Sequence, residues 1–502
     1  MTVAAGPSER DVIKRWQTFR AALVGEELGR PSITVELDER ALTELTESRR
    51  EWQDDPSLIS AAELVSTGLV LGRPDLVEDA ARSLDLQLLP LGVRHLFQAA
   101  LTREDSMDQA GRWDRDDVQS SDRHRVVAAL KRALDHDPRR AVAWLDLGRI
   151  YAEFGQLRSA ERAVRTAIAL APDNRFVLRS ASCFFVNLTQ ADRAHDLLVS
   201  SSATPTDPWL LAAELATSNA AGTKSRFMKQ ARQVVEDSDF SERSLSELVS
   251  EAGTFELRAG AERKARQLLR RASEDPTENA LAQVEWASRR DSGLRVPTRK
   301  LDLPSAYEAR TQRALQAGEW RAGVEAAQNW LDDQPFSTVA AVVASYAALT
   351  GLRDFQLGRT LALRGLQANP SDPGLLNNAA YALIELGQPA AAAEYLRKVS
   401  VSTAPADLQI VLLATFGMLS YRHDDAETGR DMYREAMRFA RQRNRAELEA
   451  MAAVMMTREE LLSGGSEVQP MMELAGRLAR RTSSAAVSSW LSFVENLVKA
   501  AP

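Results

Sequence analysis

Few residues in this chain combine the type and spacing that chemistry requires. The five histidines, His95, His124, His136, His195 and His423, are scattered, with no HExxH and no paired-ligand spacing, so no metal site is expected. Ala221-Gly222-Thr223-Lys224-Ser225 has the flavour of a phosphate loop, but Thr223 separates glycine from lysine, the first glycine is missing and no strand precedes it. The acidic cluster Asp114, Asp116 and Asp117 lacks the turn glycine of a calcium loop, and Arg125 stands where the terminal glutamate belongs. Ser463-Gly464-Gly465-Ser466 reads as a flexible turn between helices. Cys183 is the sole cysteine, so no intrachain disulfide can form. Arg179 one turn away could depress its pKa, but beside Phe184 and Phe185 a half-buried inert thiol is the better reading. The expectation is a protein that is not an enzyme and holds no cofactor and no metal.

Charge gives one further candidate. The chain has 63 Lys+Arg against 70 Asp+Glu, net −7, and residues 1–150 account for most of the excess, with 21 basic against 27 acidic side chains. The reverse holds for residues 258–300, where eleven basic residues face six acidic ones. There Arg263, Arg266 and Arg270 share a helical face at i, i+3, i+7, and Arg295, Arg299 and Lys300 follow in a loop. A solvated face and a site for an acidic protein partner both fit. No aromatic residue interleaves with the arginines to stack bases, so nucleic acid is the unlikely partner.

The elements that would position these residues are helical. In Ala141 to Asn174, Trp144, Leu147, Gly148 and Tyr151 line one helix and Ala160, Val164 and Ala167 a second, which stops at Pro172. Leu130, Ala133 and Pro138 precede Val164, Ala167 and Pro172 by 34 residues, and Ala194 and Leu198 follow Ala160 and Val164 by 34. Such a period predicts stacked helical hairpins. Residues 1–120 lie outside it, as a non-repeat region with helices expected at Arg10–Val24, Asp38–Trp52, Ser57–Leu71, Pro74–Leu84 and Pro90–Leu101. Ile33, Val35 and Leu37 could be extended. A first array is expected over 121–290. A linker or hinge loop carrying Pro297 and Pro304 follows over 291–304, and a second array occupies 305–502 with terminal capping helices. Pro335, Pro370 and Pro405 mark the second array, and Val487, Trp490, Leu491 and Val494 give its last helix one apolar face.

Trp144, Leu147, Gly148, Tyr151, Ala160, Val164, Ala167 and Pro172 together resemble the tetratricopeptide repeat (TPR) signature, with Val164 in place of its second aromatic; Gly374 to Val399 resembles it too. The resemblance implies an all-α solenoid of hairpins winding into a right-handed superhelix, whose first helices line a concave groove. On that geometry the groove rows are Leu145, Arg149, Glu153; Arg179, Cys183, Asn187; Glu308, Gln312, Gln316; and Asn377, Tyr381, Glu385, with Asn378 adjacent. Arginine and asparagine there would hydrogen-bond a bound peptide, and Tyr381 would bury an apolar group while its hydroxyl stays wet. Some relatives hold a partner's terminal carboxylate with groove lysines and asparagines. Leu145 and Arg149 stand in those places here, which favours an internal peptide or a folded partner.

The expected function is a non-enzymatic adaptor or scaffold holding a partner protein or peptide in that groove, as part of a larger assembly. The alternative is a peptide-responsive regulator whose halves rotate about residues 291–304. No run of 18 apolar residues occurs, and the start MTVAAGPSERDVIKRW carries charges where a leader needs apolar residues, so a cytoplasmic, non-membrane protein is expected.

Overall fold

The computed structural model describes residues 39–70, 76–83, 138–237, 240–303 and 305–500, with isolated positions between 97 and 135. The calls on 10–24, 33–37 and 103–122, and most of 90–101, lie outside the described residues. Contacts divide the chain into two compact units, Trp16–Ile150 with Glu161–Pro172, and Met1–Arg15 with Tyr151–Ala160 and Asp173–Pro502.

In the first of these, α1 (Glu39–Asp54), α2 (Leu58–Val70) and α3 (Glu78–Arg82) enclose a small core of Leu45, Ala61, Leu64, Val65, Val77, Ala80 and Phe97. Ser57 caps α2, its hydroxyl accepting from the Ser60 amide. α4 (Ala141–Glu153) and α5 (Leu157–Leu170) are the two helices expected from the signature, and the Trp144 indole donates to the Pro138 carbonyl at 2.9 Å.

The larger unit continues the hairpins. They are α6 (Arg175–Asn187) with α7 (Ala191–Ser200), α8 (Pro208–Ala220) with α9 (Met228–Asp237), and α10 (Glu242–Arg258) with α11 (Glu262–Ala272). The single helix α12 (Glu278–Ser288) is followed by α13 (Tyr307–Ala317) with α14 (Trp320–Asp333), then α15 (Thr338–Tyr346) with α16 (Phe355–Ala368). Then come α17 (Pro373–Glu385) with α18 (Pro389–Leu396), α19 (Ala406–Arg422) with α20 (Ala426–Gln442), and α21 (Ala446–Leu462) with α22 (Val468–Ala479). α23 (Ala485–Ala500) is last. The fold is an α-solenoid.

The repeat is written in the backbone as well as in the packing residues. Between the two helices of nine hairpins stands one residue with positive φ: Gly155, Thr189, Gly222, Gly260, Gly318, Arg353, Gly387, Asp424 and Gly464. Glycine takes this left-handed conformation freely, and threonine, arginine and aspartate take it at a cost. Several first helices start on side-chain caps: Asn174, Asp207, Thr277, Ser337 and Asp372 each accept a backbone amide two or three residues on.

Burial separates two kinds of helix. The second helices bury a narrow stripe of small residues, such as Ala194 and Leu198, or Ala265, Leu269 and Ala272, and are polar elsewhere. The first helices touch one another from hairpin to hairpin, α6 on α8, α8 on α10, α10 on α12, and again from α15 through α17, α19 and α21 to α23. Almost every residue of α8, α12 and α17 is buried, polar ones included. A helix buried all round must place its polar groups against each other.

Residues 291–303 pack against the neighbouring helices. Two short 3-10 turns, Ser292–Leu294 and Thr298–Asp302, replace the missing second helix after α12. They drive Leu294, Val296 and Leu301 into the core with Leu281, Trp286 and Ala309. Polar bonds secure the crossing. The Val296 amide donates to the buried Glu285 carboxylate at 3.3 Å, Arg310 donates to the Leu301 and Leu303 carbonyls, and Lys300 caps α11 through the Ser273 and Glu274 carbonyls. Proline stops the helix here, but Leu294 and Val296 before Pro297 and Leu301 after it are packing residues.

Candidate interaction surface

The expected groove rows meet different fates. Leu145 is a core residue and Glu153 is buried, with Arg149 half-buried between them. In the second row Arg179 donates to both oxygens of Glu247 at 3.0 and 3.1 Å and lies 4.7 Å over the Trp209 ring. Cys183 is 3% exposed, more buried than expected. Asn187 turns back on its own helix, donating to the Cys183 carbonyl at 2.9 Å. Gln312 is half-buried and donates to Glu308 at 2.9 Å. The fourth row corrects the expectation outright: Asn377 and Asn378 are 0% exposed and Tyr381 1%. Asn378 donates to the Ser345 hydroxyl at 3.0 Å, and Tyr381 stacks edge-on to Phe355. The Tyr381 hydroxyl is therefore not wet, and that burial, with the Glu385 carboxylate nearby, pushes the phenol well above its ordinary pKa. These side chains are held between α15, α17 and α19 rather than offered to a peptide.

What polar pattern suggested as a groove is in large part a set of buried ionic latches. Glu214 takes His195 at 3.1 Å, the Ser225 hydroxyl and the Arg226 amide. Glu247 adds Thr277 and Asn279 to Arg179. Glu285 is gripped by Arg313 through two nitrogens. The densest cluster joins α17, α19, α20 and α21: Arg458 donates to Glu385 at 2.6 Å and to Glu459, Arg422 also reaches Glu459, and Arg430 and Tyr421 meet on Glu460. Sequence reasoning missed these latches. The one local signal was Arg458-Glu459-Glu460 inside the otherwise apolar run of α21.

Burial pulls the Glu460 carboxyl upward, but hydrogen bonds from Tyr421, Arg430 and the Glu467 amide outweigh it and leave the pKa below the ordinary 4.5. A depressed folded pKa gives stability that is present above the unfolded value and is lost as pH falls through the folded one. Acidification through that window should therefore loosen α20 from α21. Hydrogen exchange of the two helices, followed from neutral to acid pH, should show protection falling there before it falls in α6–α8.

The basic face expected on α11 is exposed, and the crossing segment runs beside it. Arg266 pairs with Asp291 at 2.5 Å; that hydrogen bond, with the Gly293 amide, holds the Asp291 carboxyl below its usual pKa. Arg270 faces the same carboxylate electrostatically. Arg263, Arg295 and Arg299 are exposed and make no ion pair among the described residues. Because Lys300 and Arg310 anchor the crossing segment, these guanidinium groups stand on a fixed strip.

Among the described residues no group of three His, Cys, Asp or Glu could hold a metal, and no helix is long and apolar enough to cross a membrane. The Ala221–Ser225 segment is an inter-helix turn, with Gly222 at φ 66° and the Ser225 hydroxyl spent on Glu214.

Residues 118–179 match a family model described as tetratricopeptide repeat, and residues 373–400 match a second model of the same description. No curated protein matches the chain. Among solved structures, the chain is similar to yeast Tom70 at 15% identity and TM-score 0.30, over 78% of this chain and 96% of that one. It is similar to the APC/C hetero-tetramer Cut9–Hcn1 at 11% and 0.42, over 91% and 94%. A third is the human IFIT1 dimer with PPP-AAAA, at 12% and 0.32, over 92% and 100%.

Proposed function

Taking the chain as the tetratricopeptide-repeat protein that its matched segments make it, we propose that it is a non-catalytic protein-interaction scaffold that holds an acidic segment of a partner protein on the arginine strip of α11 and the crossing segment. The observation that carries this reading is that Arg263, Arg295 and Arg299, from two elements fixed to each other, are exposed and make no ion pair among the described residues. Arginine suits the role because its planar fork pairs with carboxylates through two bonds. The interior favours the strip over the middle of the first helices, since a peptide lying on Asn377 or Tyr381 would first have to part α15 from α17 and α19. Rotation of two halves about residues 291–304 finds no support in a segment whose apolar residues are buried.

The test is to capture partners with the full-length chain and with Arg263→Glu/Arg299→Glu, and to titrate both with an acidic peptide and with a single-stranded RNA. The acidic peptide should bind the wild-type chain, weaken as salt rises, and lose about tenfold in affinity or more on the double reversal. Equal binding by both proteins sinks the strip as the site. RNA binding that the reversal abolishes, with no peptide binding, would replace the acidic protein by nucleic acid.

A further inference from the structure

The arginine strip is not evenly charged. Two basic neighbours are already spent: Lys264 pairs with Glu256 at 2.7 Å, and Arg271 turns away to Glu242 and the Val235 carbonyl. Of the strip's own arginines, Arg266 alone forms an ion pair among the described residues, and its partner is Asp291. Arg266 Nε meets one carboxylate oxygen at 2.5 Å, and the Gly293 amide donates to the other at 3.0 Å. Arg270 is close by, since a Cβ placed on Gly293 would stand 3.7 Å from its Nη2. Asp291 caps the 3-10 turn Ser292–Leu294 through that amide, so backbone as well as a long side chain fixes its carboxylate. The same bonds hold its pKa below the usual range, and it is ionised at neutral pH.

Its place along the strip matters. The crossing segment leaves α12 at Asp291, beside Arg266, and reaches Lys300 at the Ser273 and Glu274 carbonyls, past the last turn of α11. It therefore runs alongside α11 in the same direction. Arg263 comes before the Asp291 carboxylate, and Arg295 and Arg299 come after it. At about 1.5 Å per residue, Arg263 and Ser273 are separated by about 15 Å along the helix axis, room for two acidic groups with Asp291 between them.

An acidic peptide meets this pattern by placing carboxylates at the two ends and a neutral residue over Asp291. A single-stranded nucleic acid cannot do so, because every nucleotide brings a phosphate. A phosphate laid across the middle finds Arg266 occupied and a like charge beside it, and such juxtaposition turns partners away as effectively as opposite charge attracts them. We infer that Asp291 sets the strip's choice of ligand: it divides the positive surface, so that a protein segment with spaced carboxylates is accepted and an evenly charged strand is rejected. This rests on the strip being the binding surface, and adds to it the partner's charge pattern.

The experiment compares the full-length wild type, Asp291→Asn and Glu274→Gln at one salt concentration. Two probes are titrated: a peptide with two glutamate pairs separated by neutral residues, and a single-stranded oligouridylate. Asparagine keeps an oxygen to cap Gly293 and loses the charge. Glu274 is exposed at the far end of the strip, where its carbonyl holds Lys300, and Glu274→Gln removes the same charge without touching Arg266. Wild type should prefer the peptide by about tenfold or more, and Asp291→Asn should strengthen RNA binding about tenfold while moving the peptide less than about threefold. Glu274→Gln should leave the preference where it was. An unchanged preference in Asp291→Asn overturns the inference. So does an equal shift in Glu274→Gln, because net charge rather than position then decides. Should Asp291→Asn lose the turn, seen as hydrogen-exchange protection lost at 292–303, Asp291→Ser supplies another capping oxygen and the same comparison. Failure of the strip itself looks different: wild type then binds neither probe, or binds the peptide equally well after Arg263→Glu/Arg299→Glu, and both readings fall together.

Discussion

Replacing Arg458 by leucine should cost the C-terminal hairpins about 3–5 kcal/mol, because it strands a buried acid rather than merely deleting a contact. Arg458 is 3% exposed and supplies the cation for Glu385, while sharing Glu459 with Arg422. With leucine there, Glu385 loses its cation in a site where water reaches little of it. Urea unfolding followed by the fluorescence of Trp490, which touches the same guanidinium, reads the loss. Adding Glu385→Gln should restore part of it, since a neutral amide is cheaper to bury than an unpaired carboxylate. A neighbour provides the control. The hydroxyl of Tyr433 is buried without a hydrogen-bond partner, so Tyr433→Phe should leave stability unchanged or slightly raised. If Arg458→Leu and Tyr433→Phe behave alike, the cluster is not an ionic latch.

Glu285→Ala should cost a comparable 3–5 kcal/mol and should act at a distance in sequence. The carboxylate is fully buried and holds three donors: two nitrogens of Arg313 on α13 and the amide of Val296 in the crossing segment. Its loss leaves Arg313, itself 12% exposed, without its counter-charge. Hydrogen exchange should show protection lost together at 292–303 and over α13, with α6–α8 unaffected. Loss confined to α12 would mean that the crossing segment is held by Leu294, Val296 and Leu301 alone.

The hairpins were legible because their packing residues are local and periodic. Trp144, Ala160, Ala392 and the rest need only a neighbour 3 or 4 residues on and a copy about 34 away, and both can be read along a line of text. The interior was not legible in this way. Asn377, Asn378 and Tyr381 are of types that usually face water, and whether they do is decided by helices 30 or more residues distant. The same holds for Glu247 and Arg179, separated by 68 residues, and for Arg458 and Glu385, separated by 73. A polar residue on a first helix looks identical in sequence whether it awaits a peptide or a partner in its own chain. The two prolines drew attention away from the packing residues around them, Leu294 and Val296 before Pro297 and Leu301 after it, which are buried. The π turn that ends α15, Ala347–Leu352, had no sequence mark beyond Gly351, against which the Trp320 ring rests.

The long latches bear on how such a chain can change over generations. An ideal repeat array is modular: each unit meets only the next, so a hairpin can be duplicated or excised and the ends rejoined. Here Arg179 of the α6 hairpin reaches past α8 to α10, and Glu385 of α17 reaches past α19 to α21. Excising the α8 or α19 hairpin would make adjacent what is built to stand two apart, leaving charged groups out of register inside the stack. Removing either hairpin would therefore break an ionic latch as well as two helix interfaces, so in these two places three successive hairpins behave as one block.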